Sequence, residues 1–409
     1  MAAPMNTYRL LTLKCRLEGL FIAPFVAFGR LLARLYPLKR EYRVFFFFPF
    51  YHTGGAEKVH VQIAAAIGGP DCIIFFTRRS QADTFREAFR HTGCELRDLS
   101  RYTDNKWIYF VNLVFRGVLS GYINRQQTTP LVFHGHSNIA YKTAPWIHPR
   151  VRQIDLVHSM NSFSHIRIPF LQYYAQTVLI SRVRLEEHRA YYRRIGVPES
   201  YISRMRYIGN AVEVPEPART PNVERPLSIL FSGRNGVEKR LPLFLQIAKE
   251  VKARMPQIRF QVMGASAEEV PGDWAGVADF LGNQSDPAAI WRIYSSNDLL
   301  LLTSATEGMP LAVIEAMGSG CSIIATPVGD LPLHIQSGAQ GFLCSTASDE
   351  ALIREEATAW ILQLNEDRAL LATISLDNRS YYEEHFSMPA FRAAYRSLLT
   401  DENTSSETL

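Results

Sequence analysis

TEGMPLAVIEAMGSG, Thr306 to Gly320, sets two carboxylates, Glu307 and Glu315, in a run otherwise made of apolar and small residues. A glutamate seldom stands in such company without a partner. The apolar run DLLLLTS (298–304) before it reads as a buried strand, and the spacing predicts a helix from Pro310 to Met317. Glu307 then falls in a loop at the C-terminal edge of a parallel sheet, where open α/β folds bind ligands. The amides around Gly308, Met309 and Leu311 open the helix and suit anionic or hydroxyl oxygens. Glu315, a turn or more into that helix, can face the same crevice. Two carboxylates there suit the neighbouring hydroxyl pairs of sugar and ribose rings. A capping Glu307 and a solvated Glu315 are the plain alternative.

Working outward, LSILFSGR (227–234), RFQVMG (259–264), VADFLG (277–282) and CSIIATP (321–327) are further buried-strand runs with helical stretches between them. The first half repeats the plan. YRVFFFFPF (42–50), CIIFF (72–76), LVF (131–133) and TVLIS (177–181) read as strands, with helical patterns from Glu57 and from Glu186 to Ile195. Strand, loop, helix, strand is the signature of parallel βαβ units. Pro215, Pro217, Pro221 and Pro226 interrupt the periodicity and mark a linker. The expected organisation is a basic N-terminal segment (1–42), a Rossmann-like domain (43–214), a linker (215–226), a second Rossmann-like domain (227–380), a last helix (381–400) and a frayed tail (401–409). A chain of 409 residues exceeds what one hydrophobic core usually serves, in keeping with two domains.

With 47% apolar and 20% charged residues, the composition is that of a globular protein, and no repeat of solenoid or propeller period is present. The five cysteines are scattered and form no CxxC, which argues against a disulfide framework or a zinc knuckle and fits a reducing cytoplasm. The formal net charge is +5, and residues 1–44 alone carry eight basic side chains against two acidic ones. The basic excess thus belongs to the N-terminus. No nucleic-acid-binding pattern accompanies it, and no nucleic acid partner is expected.

Three more constellations follow strands. In SGRNGVEKR (232–240), Arg234 offers a planar fork and Lys239 a point charge, a pair suited to a diphosphate, or else a basic surface loop. In TGGAE (53–57), Gly54 and Gly55 let backbone approach a ligand ahead of a helix N-terminus, or simply make a tight turn. In VFHGHSN (132–138), the period of two puts His134 and His136 on one face, a metal pair lacking an acidic or cysteine partner at ligand spacing. His158, in DLVHSMNS (155–162), ends another apolar run and reaches toward a cleft between the domains, or is an ordinary hydrogen-bonded histidine.

Taken together, SGR-x4-K and TSATEGMPLAVIEAMGSGCSIIATPVGD resemble the retaining glycosyltransferase family 4 pattern, including its Glu-x7-Glu element. GGAEK, and LISR with YIGNAVEV, look similar to the same family, so the resemblance spans roughly residues 43 to 345. It implies an α/β protein of GT-B fold, two Rossmann-like βαβ domains facing a central cleft, with a nucleotide-diphosphate-sugar donor as substrate, no separate cofactor and no metal. By motif, Arg234 and Lys239 would hold the donor diphosphate, Glu307 the sugar hydroxyls and Glu315 the ribose hydroxyls. Gly308, Met309 and Leu311 would seat sugar and phosphate, and Gly54 and Gly55 would approach the phosphates. His158 would stand near the transferring sugar, with His134 competing for that role. The chain departs from the pattern at GDLPL, with Asp330 and Leu333, at NAVE before the linker, and at Arg240, where a glycine commonly follows the lysine. The expected acceptor is a glycan or lipid-linked precursor. A nucleotide-sugar epimerase of the same fold and a non-catalytic nucleotide-sugar-binding partner are the alternatives.

GLFIAPFVAFG (19–29) is too short to span a bilayer, for which ~20 apolar residues are needed, and Pro24 lies inside it. From Phe25 to Tyr36 the pattern is amphipathic, with Arg30 and Arg34 on one face and Phe28, Leu31, Leu32 and Leu35 largely away from them. Such a segment suits an interfacial helix on an anionic membrane, peripheral on the inner face, or a helix packed on the N-terminal domain with a solvated basic face.

Overall fold

The computed structural model describes residues 6–52, 54–105, 108–158, 165–214, 225–272, 274 and 276–400. Most of the expected linker (215–224) and the expected tail (401–409) lie outside the described residues, as do Thr53 and residues 159–164. The chain forms two compact units, residues 1–208 with 392–409, and residues 209–391.

In the first unit, seven parallel strands lie in the order β3-β2-β1-β4-β5-β6-β7. They are β1 (Val44–Phe48), β2 (Cys72–Phe76), β3 (Glu95–Asp98), β4 (Leu131–Gly135), β5 (Arg152–Val157), β6 (Gln176–Leu179) and β7 (Met205–Tyr207). The interior strand β1 is VFFFF, buried at every position, as a strand covered by helices on both faces must be. Its helices include α1 (Thr7–Leu35), α2 (Gly55–Ile67), α3 (Tyr109–Asn124) and α4 (Arg182–Ile195). α4 starts four residues before the helical pattern expected from Glu186, because the Ser181 hydroxyl caps it by accepting from the Arg184 amide.

The N-terminal segment is no separate piece. It is the single 29-residue helix α1, which the Asn6 side chain opens by accepting from the Arg9 amide at 2.9 Å. Pro24 lies inside α1 on its exposed side, where the carbonyl that loses its partner can turn to water. The opposite face, with Val26, Gly29 and Ala33, is buried against α3. Small residues set that approach: a Cβ on Gly117 would overlap the Val26 carbonyl oxygen, and one on Gly121 would press on the Ala33 methyl. A packed N-terminal helix, one of the two expectations, is therefore what the first unit contains.

The second unit has six parallel strands in the order β10-β9-β8-β11-β12-β13. They are β8 (Ser228–Ser232), β9 (Arg259–Met263), β10 (Asp279–Gly282), β11 (Leu299–Leu302), β12 (Ser322–Ala325) and β13 (Gly341–Leu343). Around them pack α5 (Leu241–Arg254), α6 (Pro287–Ser296), α7 (Leu311–Gly318), α8 (Glu350–Glu366) and α9 (Arg368–His385). Two boundaries differ from expectation. Residues 209–214 belong to the second unit, since Val212 is buried in its core and its carbonyl accepts from the Tyr382 hydroxyl at 2.7 Å. The expected helix 381–400 is two helices, the end of α9 and then α10 (Met388–Thr400), separated at the buried Phe386, with Pro389 in the first turn of the new helix. From residue 392 onward α10 belongs to the first unit, where Tyr395 packs edge-on against Phe133 and Arg396 Nε donates to the Ala66 carbonyl.

Candidate active site

In the second unit the side chains gather at the C-terminal edge of the sheet. β8 ends at Ser232, and the following loop returns to α5 through Lys239 and Arg240. The Thr303 hydroxyl, just past β11, donates to the carbonyls of Lys239 (2.9 Å) and Arg240 (3.1 Å), and the Ala305 amide donates to the Glu238 carbonyl (2.7 Å). These bonds tie the two loops together. Across them, Lys239 Nζ lies 2.6 Å from Glu307 Oε1, with both side chains largely buried. The lysine stem passes over Gly233 at van der Waals distance.

Arg234 is more open. Its side chain is 80% exposed and meets Glu238 at 3.0 Å. Glu238 is held below the usual carboxylate range chiefly by its backbone hydrogen bond, with Arg234 adding to the effect. Arg240, the residue in place of the common glycine, has φ +52°, the left-handed region that glycine enters without strain. The side chain is anchored in compensation, donating to the Ala347 carbonyl at 2.6 Å and lying 3.6 Å from Glu350.

Glu307 and Gly308 precede Pro310, the N-cap of α7, and Leu311 is its first residue. Met309 is buried, and its carbonyl accepts from Asn210 Nδ2. Gly308 is pinned by the Asp330 amide at 2.8 Å, and Gly329, at φ +57°, sits so close that a Cβ would overlap the Gly308 carbonyl. The backbone of Gly329 and Asp330 thus supports the Glu307 loop. Glu315 lies in α7 beside Tyr294 of α6. Burial first and Glu315 second push the Tyr294 phenol well above its ordinary range, while its hydroxyl donates to Ser232 at 2.8 Å. Lys239 with Glu307, and Tyr294 with Glu315, are therefore two adjoining polar pairs on this edge. Sequence reasoning missed Tyr294, since IWRIYSS reads as an ordinary amphipathic helix.

In the first unit, Gly54 is the N-cap of α2 and Gly55 its first residue, at the C-terminal edge beyond β1. His158 follows β5 at the same edge. Its Nε2 is 2.9 Å from Nε2 of His60, a fully buried residue of α2 stacked on Phe48. Burial foremost, and His136 after it, push His158 down to about 3, and burial likewise lowers His60. His134 is no candidate for the sugar-facing role. It is fully buried within β4, bonded to Gln153 Oε1 at 3.0 Å and stacked between Phe47 and Tyr141. Nor do His134 and His136 share a strand face, because β4 ends at Gly135 and His136 turns to φ +67°. Among the described residues no group of three histidine, cysteine or acidic side chains is placed to hold a metal ion.

Two doubly wound parallel sheets, each with polar side chains at its C-terminal edge, define the GT-B class. Solved structures agree. The Anabaena Alr3699/HepE structure in complex with UDP-glucose superposes with a TM-score of 0.66 at 15% identity, covering 87% of this chain and 99% of that one. Sucrose-phosphate synthase of Thermosynechococcus elongatus gives 0.64 at 16%, covering 88% and 98%. Residues 226–360 match the family described as glycosyl transferases group 1. Curated proteins align over parts of the chain of comparable length. Sulfoquinovosyl transferase of Arabidopsis thaliana is 30% identical over 167 residues, 39% of this chain and 31% of that protein. N-acetyl-alpha-D-glucosaminyl L-malate synthase of Bacillus anthracis is 31% identical over 122 residues, 30% of each. The chain thus matches less than a third of the length of these relatives.

Proposed function

We propose that the protein is a retaining glycosyltransferase that moves a sugar from a nucleotide-diphosphate-sugar to a hydroxyl acceptor, a lipid-linked or surface glycan precursor. The observation that carries this reading is the Lys239–Glu307 pair, at 2.6 Å, on the edge where the group 1 glycosyltransferase match lies. In transfer the bond from the anomeric carbon to the diphosphate oxygen breaks, the acceptor oxygen bonds to that carbon, and the acceptor proton leaves with the nucleoside diphosphate. The departing diphosphate needs positive charge held in place beforehand. Lys239 and Arg234 supply it, with the amide end of α7 behind Glu307. Glu307 takes the sugar hydroxyls and keeps Lys239 aimed. Glu315 takes the ribose hydroxyls, steadied by Tyr294. Gly308, Met309 and Leu311 seat sugar and phosphate, Gly54 and Gly55 approach phosphate, and His158 meets the reacting sugar. With cations supplied by side chains, transfer proceeds without a metal ion.

The protein works at the cytoplasmic face of a membrane in this reading, supported by the basic N-terminal segment; among the described residues no helix is long and apolar enough to cross one. The test is incubation of the purified protein with UDP- and GDP-sugar panels and candidate acceptors, with and without EDTA. The expected result is glycoside of the donor's anomeric configuration, formed equally in chelator. Epimerised sugar would replace the reading with a nucleotide-sugar epimerase, and binding without turnover would replace it with a non-catalytic partner.

A further inference from the structure

The outward face of α1 carries Leu10, Leu13, Leu17, Leu20, Phe21, Phe28, Leu31 and Leu35, each between 44% and 80% exposed. At about 100° per residue these side chains share an arc of about 100°, turned away from the Val26–Gly29–Ala33 face that packs on α3. Arg9, Arg16, Arg30 and Arg34 follow one border of the stripe. A contiguous apolar strip of this length rarely faces water. Its cationic border selects an anionic lipid surface over a second copy of the chain, which would bring the same charges together.

Midway along the stripe a cavity of about 790 Å³ opens between α1, α3 and the segment after β4. Leu20 and Phe21 of the stripe, 72% and 80% exposed, line it together with Trp146 and the buried Phe170. Its charged lining is Arg16, Arg116 and Lys142 against Glu18 alone. Arg116 is buried, and Lys142, half-buried, is pushed below its ordinary range by burial first and by Arg116 second, with Glu18 opposing. A cavity with three cations to one carboxylate, lined in part by exposed apolar side chains of the stripe, suits an anion with a greasy tail.

We propose that this cavity is a subsite for the phosphate of an anionic phospholipid, held by Arg116, Lys142 and Arg16, with the acyl chains leaving along the α1 stripe. The inference rests on the membrane placement proposed above, and its test needs neither donor nor acceptor, so failure of transfer and failure of the subsite are separable. Titration calorimetry of the full chain with dihexanoyl phosphatidic acid is expected to show saturable binding that Lys142→Ala weakens about tenfold or more, the loss typical of one charge-assisted contact. Arg34→Ala, away from the cavity, leaves that binding unchanged. In co-sedimentation, phosphatidylcholine vesicles carrying phosphatidic acid retain the wild type, and Phe28→Ser with Leu31→Ser releases it. Arg116→Ala is followed by its melting curve, since the buried residue also contributes to folding, and Lys142→Ala decides the matter if that variant unfolds. No binding of the soluble lipid, equal binding by Lys142→Ala, inorganic phosphate binding as tightly as the lipid, or a dimer closed over the stripe would each overturn the subsite. Vesicle binding that survives Lys142→Ala would overturn it while leaving the membrane placement intact.

Discussion

His60 and His158 meet nitrogen to nitrogen, with Nε2 atoms 2.9 Å apart, so one ring must donate and the other accept. That geometry excludes two imidazolium rings, and burial reinforces it by pushing His158 to about 3. An edge of His158 stays open to solvent, yet the nitrogen in question is turned to a fully buried partner. Imidazole ¹⁵N NMR is therefore expected to find both rings neutral, with no titration between about pH 5 and pH 8. His60→Phe leaves burial and His136 in place and takes away a ring that could accept the His158 proton, so the His158 midpoint stays well below its ordinary 6.5. A wild-type midpoint near that value would show that burial does not set the ring's charge.

The Lys239–Glu307 pair gives the most direct prediction for activity. Removing one partner strands a largely buried charge, a loss of about 1.5–3 kcal/mol and so about ten- to hundredfold in kcat/KM. Lys239→Ala and Glu307→Ala each show such a loss while remaining folded, with lowered melting midpoints, and the double variant falls well short of the product of the two, because the residues act as one unit. Steady-state kinetics on the three variants decides it. Near-wild-type turnover in both single variants would remove these residues from the site.

Much of this site was legible because its chemistry is local. Arg234, Lys239 and Glu307 lie in loops that follow uninterrupted apolar strands, with Glu315 in the second turn of α7, so naming the strands placed this candidate site at the sheet edge. What sequence hid were relations between distant segments. His60 sits 98 residues from His158 and reads as a helix-face residue. Tyr294 looks like core until Glu315 is beside it. His136 breaks the period of two through a single left-handed φ that composition does not announce. Pro24 lies within α1, where tertiary packing of the Gly29 face outweighs the missing hydrogen bond. The last helix returns to the first unit, which no local pattern could show.

That packing of α1 is itself testable. Gly117→Val would drive a side chain into the Val26 backbone, and overpacking of this kind costs about 1–3 kcal/mol. The expected result is a lower urea midpoint and early proteolytic cleavage within α1. Phe28→Ala, on the 54% exposed side of the same helix, leaves both unchanged. Equal behaviour of the two variants would mean that the glycine contact does not hold the helix.

His134 links stability to pH. It is fully buried, and burial lowers it from 6.5 to about 4, with the Gln153 bond pulling the other way. A depressed histidine stabilises the fold above its unfolded value of 6.5, and that contribution is lost as pH falls from there toward 4. In the unfolded chain the ring takes up its proton first, which draws the equilibrium toward unfolding. For this one ring the loss between about pH 7 and pH 5 is about 2 kcal/mol. His134→Phe lacks the proton site while keeping a flat ring between Phe47 and Tyr141, so its unfolding free energy should vary less with pH by that amount, whatever its absolute value. Urea unfolding of both proteins at the two pH values gives the comparison. The same slope in both would show that His134 does not carry the acid sensitivity, and the burden would pass to His188, likewise lowered to about 4, chiefly by burial.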